Sequence, residues 1–168
     1  GRVRDAASRV GDVTHLAAIA EGFALAGYRF DKYKSDADAP AKITELTLVT
    51  GELPPAVIIA ARLDALEATV AAVETVRDLV NEPAAVKTPT FLAATAERLA
   101  AEAGIEVEIW DRARIEGEGL AGLIAVARGS QEEPRFIRLR YRGKGARRRV
   151  ALIGKGVTFD SGGLSLKP

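Results

Sequence analysis

The chain has 168 residues, a length typical of one domain or of one domain with part of a second. Its residues are 48% hydrophobic and 28% charged, which excludes an intrinsically disordered chain, and its net charge of +1 gives no chain-wide attraction for nucleic acid or an anionic membrane. The sequence contains no cysteine, so disulfides and a thiol nucleophile are excluded and any metal site would need oxygen and nitrogen donors.

The first predicted element is an amphipathic helix that begins after Asp12 or Thr14, both suitable N-caps, and runs to about Tyr28. Apolar residues at helical spacing define one of its faces: Leu16, Ile19, Phe23 and Ala26. A polar loop is predicted over residues 31–41, and residues 43–50 predict a strand.

The longest predicted element is a helix over residues 56–80, opened by a proline pair. This run is rich in alanine and has no interior glycine or proline, and a helix of that length reaches about 40 Å. A rod so long is a candidate connector between two domains, and we expect the boundary at residues 75–85. Pro83 ends the helix, because proline disfavours helical geometry in the residue before it.

The second half of the chain predicts helix and strand in alternation. Thr88 and Pro89 are suited to open a helix, as N-cap and first helical residue, and Gly104 is suited to end it. Strands are predicted over residues 105–110, 136–142 and 149–153. A Gly-Lys-Gly turn separates the last two strands, and residues 119–127 fit either a helix or a strand. The order of elements indicates an α/β fold with an incomplete sheet.

The segment best suited to chemistry is the last one, residues 150–168, where an apolar strand is followed by a glycine-rich loop with three isolated charges. Ligands of open α/β sheets bind beyond the carboxyl ends of the strands, and Lys155 lies at such a position. A phosphate-binding P-loop is excluded, because Gly156 follows Lys155 where the motif needs Ser or Thr, and Arg149 stands where it needs glycine.

The same charges also allow a purely structural interpretation. The Gly-Lys-Gly sequence around Lys155 would form a turn, Asp160 would cap a neighbouring element, and Lys167 would lie in solvent, as loop aspartates and lysines usually do. Hydrophobic periodicity does not distinguish this interpretation from a functional one, so both stay open on the residues alone.

A family resemblance is carried by residues 154–168, with the sequence Gly-Lys-Gly-Val-Thr-Phe-Asp-Ser-Gly-Gly-Leu-Ser-Leu-Lys-Pro. Nearly residue for residue, they resemble the first metal-site motif of the leucyl aminopeptidase family of two-metal cytosolic exopeptidases. Two further stretches agree with this family: residues 77–83 with Thr88-Pro89 resemble the end of its interdomain helix, and residues 20–34 resemble the close of its N-terminal domain.

The resemblance implies three parts of the chain. Residues 1–53 would be the C-terminal part of the family's N-terminal domain, residues 54–82 the connecting helix, and residues 83–168 the first part of a truncated catalytic peptidase domain. Because the chain starts at Gly1 rather than Met and stops within a motif, we expect a processed or truncated piece. The missing C-terminal catalytic segment is expected on a second polypeptide or outside this sequence.

Roles for three residues follow from the resemblance. Lys155 would bind one metal ion, Asp160 would contact both ions, and Lys167 would be the catalytic lysine that steadies the oxyanion of the tetrahedral intermediate. The implied cofactors are two divalent ions per site, Mn²⁺ or Zn²⁺, which together bind a water molecule and polarise the peptide carbonyl. Because an ammonium group has no lone pair, Lys155 would bind as the neutral amine, whereas Lys167 would stay charged.

The implied function is a metal-dependent aminopeptidase that releases N-terminal amino acids, with leucine preferred, from peptides with a free N-terminus. The family resemblance also implies a homohexamer. Since only part of the family's ligand set is present, we expect this chain alone to bind metal poorly and to hydrolyse nothing. No apolar run approaches the roughly 18 residues of a membrane span and no secretory signal is evident, so we expect a cytoplasmic protein.

A second hypothesis is a nonenzymatic nucleic-acid-binding module that would use a basic hairpin. Its cations are Arg138, Arg140, Arg142, Lys144, Arg147, Arg148 and Arg149. Ile137, Leu139 and Tyr141 alternate with the first three arginines, as in a strand with one buried and one solvated face. We therefore favour a solvated strand edge or a subunit contact over a nucleic-acid site.

Overall fold

The computed structural model describes residues 13–35, 45–47 and 55–159. The chain divides into two compact units, the first ending at Asn81 and the second beginning at Glu82. Within the described residues, the first unit contains two helices, and the second contains three helices and a two-stranded sheet. The combination of helices and sheet confirms the predicted α/β class.

Helix α1 spans Val13–Ala26 and confirms the first predicted helix, although it ends before Tyr28. Thr14 lies within its first turn and is therefore not the N-cap, and Asp12 lies outside the described residues. Three members of the predicted apolar face are half-buried: Leu16, Ile19 and Phe23. The fourth member, at the C-terminal end of the helix, is exposed. Gly27 closes the last turn by donating its N–H to the carbonyls of two residues in that turn.

Between the helices, residues 31–35 follow the predicted polar loop and contain turns. The strand predicted over residues 43–50 is absent from residues 45–47, which are exposed and have no regular structure. The rest of that loop and strand lies outside the described residues.

Helix α2 spans Ala56–Asn81 and confirms the long predicted helix, whose 26 residues correspond to about 39 Å. None of its residues is fully buried. Helix α1 packs against α2. Half-buried side chains recur at helical spacing along one side of α2: Ile59, Leu66, Val70, Val73 and Arg77. Despite its length, neither α2 nor another helix in the described part of the chain is apolar enough to cross a membrane.

Polar contacts join the end of α1 to the last turns of α2. The Tyr28 hydroxyl donates to Asp78 Oδ1 at 2.8 Å and accepts from Asn81 Nδ2 at 3.1 Å. The Arg77 guanidinium lies 5.3 Å from the centroid of the Tyr28 ring and donates to the Leu25 carbonyl, one of the terminal carbonyls that lack a partner within their own helix. Desolvation raises the pKa of the Tyr28 hydroxyl above its ordinary value, and the hydrogen bond to Asp78 acts in the same direction.

Helix α3 spans Pro89–Ala103, and both of its ends confirm the prediction. The N-cap Thr88 has extended backbone geometry, and its hydroxyl accepts from the Phe91 N–H at 3.2 Å. At the other end Gly104 adopts a left-handed conformation with φ 64°, and its N–H donates to the Ala100 carbonyl. Local sequence signals therefore determine where this helix starts and stops.

Strands β1, Glu106–Trp110, and β2, Phe136–Arg140, form an antiparallel pair. Trp110 lies opposite Phe136 at one end of the pair, and Glu106 lies opposite Arg140 at the other. Both strands were predicted, the second with an end at residue 142. Helix α3 packs against both strands, which gives this unit a helix-on-sheet arrangement.

Two short helices follow β1. The ambiguous segment at residues 119–127 forms helix α5, Ala121–Ala127, while α4, Arg112–Gly117, was not predicted. Asp111 is the N-cap of α4, and its carboxylate accepts from the Arg114 N–H at 2.9 Å. The sequence signal for α4 was thus a capping aspartate directly after a strand.

The described part of the second unit has a small core. Its buried apolar residues are Ala93, Ala100, Trp110 and Ile115. Ile115 is completely buried on α4, which packs against β1 and α5. The Trp110 ring lies 4.6 Å from the Phe136 ring, centroid to centroid, and closes one end of the sheet.

The strand predicted over residues 149–153 is wrong, since these residues have no regular structure. Its apolar side chains are almost fully exposed: Val150 at 85%, Leu152 at 95% and Ile153 at 97%. A strand needs a hydrogen-bonded neighbour, and none lies beside this segment within the described residues. The turn before it is confirmed, because the Ala146 N–H donates to the Gly143 carbonyl at 3.2 Å and Gly145 has the positive φ of a type II turn.

The capping role of Thr88 predicts a measurable loss of stability. We expect Thr88→Ala to lower the free energy of unfolding by about 1 kcal/mol, because the Phe91 N–H loses its acceptor. Urea denaturation followed by circular dichroism measures the change. Thr90→Ala is the matched control, since Thr90 is exposed within the same first turn. Equal losses in the two variants would contradict the assigned cap.

The burial of Ile115 predicts a larger effect. We expect Ile115→Ala to cost about 2–5 kcal/mol, the range for deleting a fully enclosed aliphatic side chain. Val126→Ala on α5 serves as the control, because Val126 is 76% exposed and should change stability by less than about 0.5 kcal/mol. Similar urea midpoints of unfolding for the Ile115→Ala and Val126→Ala variants would contradict the assignment of Ile115 to the core.

Candidate functional site

Lys155 lies in an exposed segment without regular secondary structure, residues 151–159. The other two predicted site residues, Asp160 and Lys167, lie outside the described residues. Among the three candidates, Lys155 is therefore the residue whose position the structure describes.

The backbone around Lys155 is open. A Cβ atom added to Gly154 or to Gly156 would meet nothing within 4 Å. Downstream, Phe159 is 69% exposed and Thr158 is half-buried. Glycines on both sides of a lysine let a ligand approach the main chain closely, which is compatible with a binding loop.

The donor atoms of this segment suit a divalent metal ion in type but not in number. A lysine nitrogen at Lys155 and a carboxylate at Asp160 are borderline to hard donors of the kind that bind zinc or manganese. Three or more histidine, aspartate or glutamate side chains do not come together anywhere in residues 13–35, 45–47 and 55–159. The described residues thus supply one candidate ligand and not a complete metal site.

Charged side chains are densest on the sheet, not on the loop. Arg138 Nη2 lies 2.6 Å from Glu108 Oε1, and Arg140 Nη1 lies 3.3 Å from Glu106 Oε2. Both are pairs of directly opposed residues in the β1–β2 register, the geometry in which unlike charges stabilise a sheet. Arg142, beyond the end of β2, reaches Glu106 Oε1 at 3.2 Å.

Glu108 is the centre of this cluster. Its Oε2 accepts from the Trp110 indole N–H at 3.1 Å and from Arg114 Nη2 at 3.3 Å. The Arg114 guanidinium lies 4.3 Å from the centroid of the Trp110 ring, a cation–π contact. The indole hydrogen bond, helped by Arg138 and Arg114, lowers the pKa of the Glu108 carboxyl. The carboxylate is therefore held charged in a fixed position beside the core.

These contacts give the nucleic-acid hypothesis no support. The first three cations of the proposed basic hairpin are paired with glutamates: Arg138, Arg140 and Arg142. A paired arginine has less charge to offer a phosphate. The expected buried face is also wrong beyond Ile137, because Leu139 is 53% and Tyr141 is 77% exposed. Leu139 lies near the far end of β2 and Tyr141 just beyond it, away from the Trp110–Phe136 contact.

Sequence analysis did not single out the two glutamates of β1. A signal was present, because Glu106-Val107-Glu108 in one strand and Arg138-Leu139-Arg140 in the other have complementary charges at the same two-residue spacing. That complementarity identifies a pair only once the register of the strands is known.

Comparison with known protein families gives one family match. The family model described as "Cytosol aminopeptidase family, catalytic domain" matches residues 74–168. A "Probable cytosol aminopeptidase" from Geobacter sulfurreducens is 45% identical over 157 residues, which cover 92% of this chain and 32% of the relative. A second "Probable cytosol aminopeptidase", from Aquifex aeolicus, is 42% identical over 164 residues, which cover 95% of this chain and 32% of the relative. The chain thus spans about a third of the length of these curated relatives.

Solved structures agree with these relatives. "Bottromycin maturation enzyme BotP in complex with Mn" is similar with a TM-score of 0.60 and 37% sequence identity, over 77% of this chain and 26% of that chain. A second structure, "Bottromycin maturation enzyme BotP", is similar with a TM-score of 0.59 and 36% sequence identity, again over 77% of this chain and 26% of that chain. The agreement supports the α/β class found in the fold.

The lowered pKa of Glu108 predicts a pH-dependent contribution to stability. A carboxyl whose pKa is lower in the folded than in the unfolded chain stabilises the fold above the unfolded pKa, and this contribution is lost as the pH falls through the folded pKa. We expect Glu108→Gln to lower the melting temperature at neutral pH. The difference from the parent protein should shrink as the pH falls below the usual glutamate value of about 4.3.

Thermal unfolding at a series of pH values, followed by circular dichroism, measures this difference. Glu132→Gln is the matched control, since no ion pair involves the Glu132 carboxylate among the described residues. A difference for Glu108→Gln that stays constant from neutral to acidic pH would contradict the assigned interactions.

Proposed function

Because this chain belongs to the cytosol aminopeptidase family, we propose that it forms part of a metal-dependent aminopeptidase that releases N-terminal amino acids, with leucine preferred, from peptides. The observation that carries the proposal is the match of the family's catalytic-domain model to residues 74–168. That match includes residues 154–168, where the three candidate site residues lie. Since the chain spans about a third of its relatives, the activity is proposed for the full-length protein.

The proposed metal ligands are Lys155 and Asp160. Lys155 would hold one ion through the lone pair that a neutral amine offers, and the Asp160 carboxylate would serve as a ligand of both ions. When bound, two divalent ions supply an acidified water and polarise the scissile carbonyl. The open backbone at Gly154 and Gly156 supports this role, because it leaves room for ligands beside Lys155.

Lys167 is the proposed catalytic residue. Its ammonium would stay charged and would stabilise the carbonyl oxygen of the substrate, where negative charge develops during attack on the peptide bond. Two lysines of one segment would then work in opposite protonation states, one as a neutral donor and one as a fixed cation. Recognition of the free α-amine of the peptide at the metal site would restrict the enzyme to exopeptidase substrates.

Further parts of the proposal concern the whole protein. We propose manganese as the metal, with zinc as the alternative, because a similar solved structure is described as a complex with Mn. A cytoplasmic location is supported by the relatives' description as cytosol aminopeptidases. The proposed homohexamer rests on the family resemblance alone. The 168-residue chain by itself is proposed to be inactive, because it spans about a third of the length of its relatives and carries only part of the ligand set that the family resemblance implies.

The proposed domain organisation has residues 1–53 at the end of an N-terminal domain, residues 54–82 as the connecting helix and residues 83–168 at the start of the catalytic domain. Two observations support it. The boundary between the compact units falls between Asn81 and Glu82 along the chain, and the catalytic-domain match begins at residue 74, inside the last part of α2.

The catalytic assignment predicts the effect of single substitutions in the full-length gene product. With manganese present, we expect Lys167→Ala to lower kcat for release of leucine from a leucyl-arylamide by about 10²–10³-fold, the usual cost of one group that stabilises an oxyanion. Lys144→Ala should leave kcat unchanged, because Lys144 lies in the exposed turn before the segment. Chelation of the metal should abolish release.

Hydrolysis that survives chelation, or equal kcat for the Lys167→Ala and Lys144→Ala variants, would overturn the proposal. Assayed alone with manganese, the 168-residue chain should release no leucine. Release by this chain would contradict its proposed inactivity and leave the family assignment intact.

A further inference from the structure

The last part of α2, residues 74–81, belongs to two divisions of the chain at once. It lies in the first compact unit, which ends at Asn81, and it also lies within residues 74–168, which match the catalytic-domain model. We call residues 74–81 the shared segment. A contact that holds the shared segment against α1 therefore joins the start of the matched residues to a part of the chain that precedes them.

The Tyr28 hydroxyl makes two hydrogen bonds to the shared segment. It donates to Asp78 Oδ1 at 2.8 Å and accepts from Asn81 Nδ2 at 3.1 Å. Asp78 and Asn81 are three residues apart, so they lie on the same face of α2 and one hydroxyl reaches both. A carboxylate only accepts and an amide nitrogen only donates, so the pair requires a group that does both, as a hydroxyl does.

Arg77 adds a second connection beside this hydroxyl. Its guanidinium lies 5.3 Å from the centroid of the Tyr28 ring, and its Nη1 donates to the Leu25 carbonyl at 2.5 Å. Leu25 lies in the last turn of α1, so Arg77 joins the end of that helix to the shared segment. The Tyr28 ring is thereby held in the position from which its hydroxyl reaches Asp78 and Asn81.

The C-terminal end of α2 is a place where a helix tends to fray. The last four carbonyls of a helix have no partner within it, and Pro83 disfavours helical geometry at Glu82, where the next turn would begin. We propose that the Tyr28 hydroxyl is a conformational latch. By bridging Asp78 and Asn81, it keeps the last turn of α2 helical and attached to the end of α1.

The latch is complete within the first unit. Tyr28, Asp78, Asn81 and the flanking Arg77 all belong to it, so the latch needs no group from the rest of a longer chain. Chain packed around these residues would exclude water, and a hydrogen bond is electrostatically stronger where the dielectric constant is low. The latch therefore does not depend on surfaces that a longer chain would cover.

Hydrogen–deuterium exchange of the full-length gene product, read by mass spectrometry of its peptides, tests the latch. We expect Tyr28→Phe to raise the exchange rate of the amides of residues 78–81 roughly tenfold, because a lost hydrogen bond to a charged group makes local opening more frequent. The amides of residues 60–70, in the middle of the same helix, should exchange at the parent rate. This contrast within α2 separates a local latch from a general loss of stability.

Tyr141→Phe is the matched control. It removes a tyrosine hydroxyl that makes no hydrogen bond within the described residues, so it should leave exchange at residues 78–81 unchanged. An increase at residues 78–81 in this variant as large as that of Tyr28→Phe would contradict the latch.

A double variant tests whether Tyr28 acts through Asp78. Asp78→Ala alone should also raise exchange in the shared segment. Because one hydrogen bond is lost in both single variants, Tyr28→Phe/Asp78→Ala should raise exchange by less than the product of the two single increases. Increases that multiply in the double variant would show that the two side chains act separately.

The proposal is overturned if Tyr28→Phe leaves residues 78–81 at the parent rate, if it raises exchange equally along the whole of α2, or if the two single increases multiply. Deuterium uptake needs neither metal nor substrate, so failure of the latch would leave the proposed aminopeptidase untouched. Absence of peptidase activity would likewise leave the measured latch in place.

Discussion

The structure of the second unit depends on the antiparallel pairing of β1 with β2. A two-stranded sheet is marginally stable on its own, so it needs the helices that cover it. α3 packs on both strands and α4 packs on β1, with Ile115 enclosed at the second contact. Among the described residues, β2 is the last regular element before the segment that contains Lys155.

Glutamate–arginine pairs contribute to the specificity of this sheet more than to its stability. Exposed ion pairs add little free energy, because both charges are well solvated before they meet. Their arrangement does distinguish registers: a slip of one residue would place Glu108 opposite a neighbour of Arg138 and turn alternate side chains to the other face. The indole N–H of Trp110 adds a geometric constraint, since it fixes one oxygen of Glu108.

Local signals in the sequence predicted the elements that are determined locally. The run of 26 residues in α2 has no interior breaker, and Thr88 and Gly104 fix the ends of α3 through hydrogen bonds to their own helix. Strands depend on partners elsewhere in the chain. The sequence therefore predicted β1 and β2 but not their register, and it wrongly predicted a strand at residues 149–153. For the candidate site, the motif predicted Lys155, Asp160 and Lys167 as functional residues. The geometry of a metal site could not be predicted in the same way, because it depends on groups brought together from distant parts of a chain.

Trp110 is the only tryptophan of the chain, and it lies in the second unit, buried at the end of β1 between Phe136 and the guanidinium of Arg114. Ultraviolet emission excited at the indole band therefore comes from that unit alone, while α1 and α2 contribute none. The environment of the indole changes when the helices leave the sheet. The protein thus carries an intrinsic optical reporter that can separate the melting of one unit from that of the other.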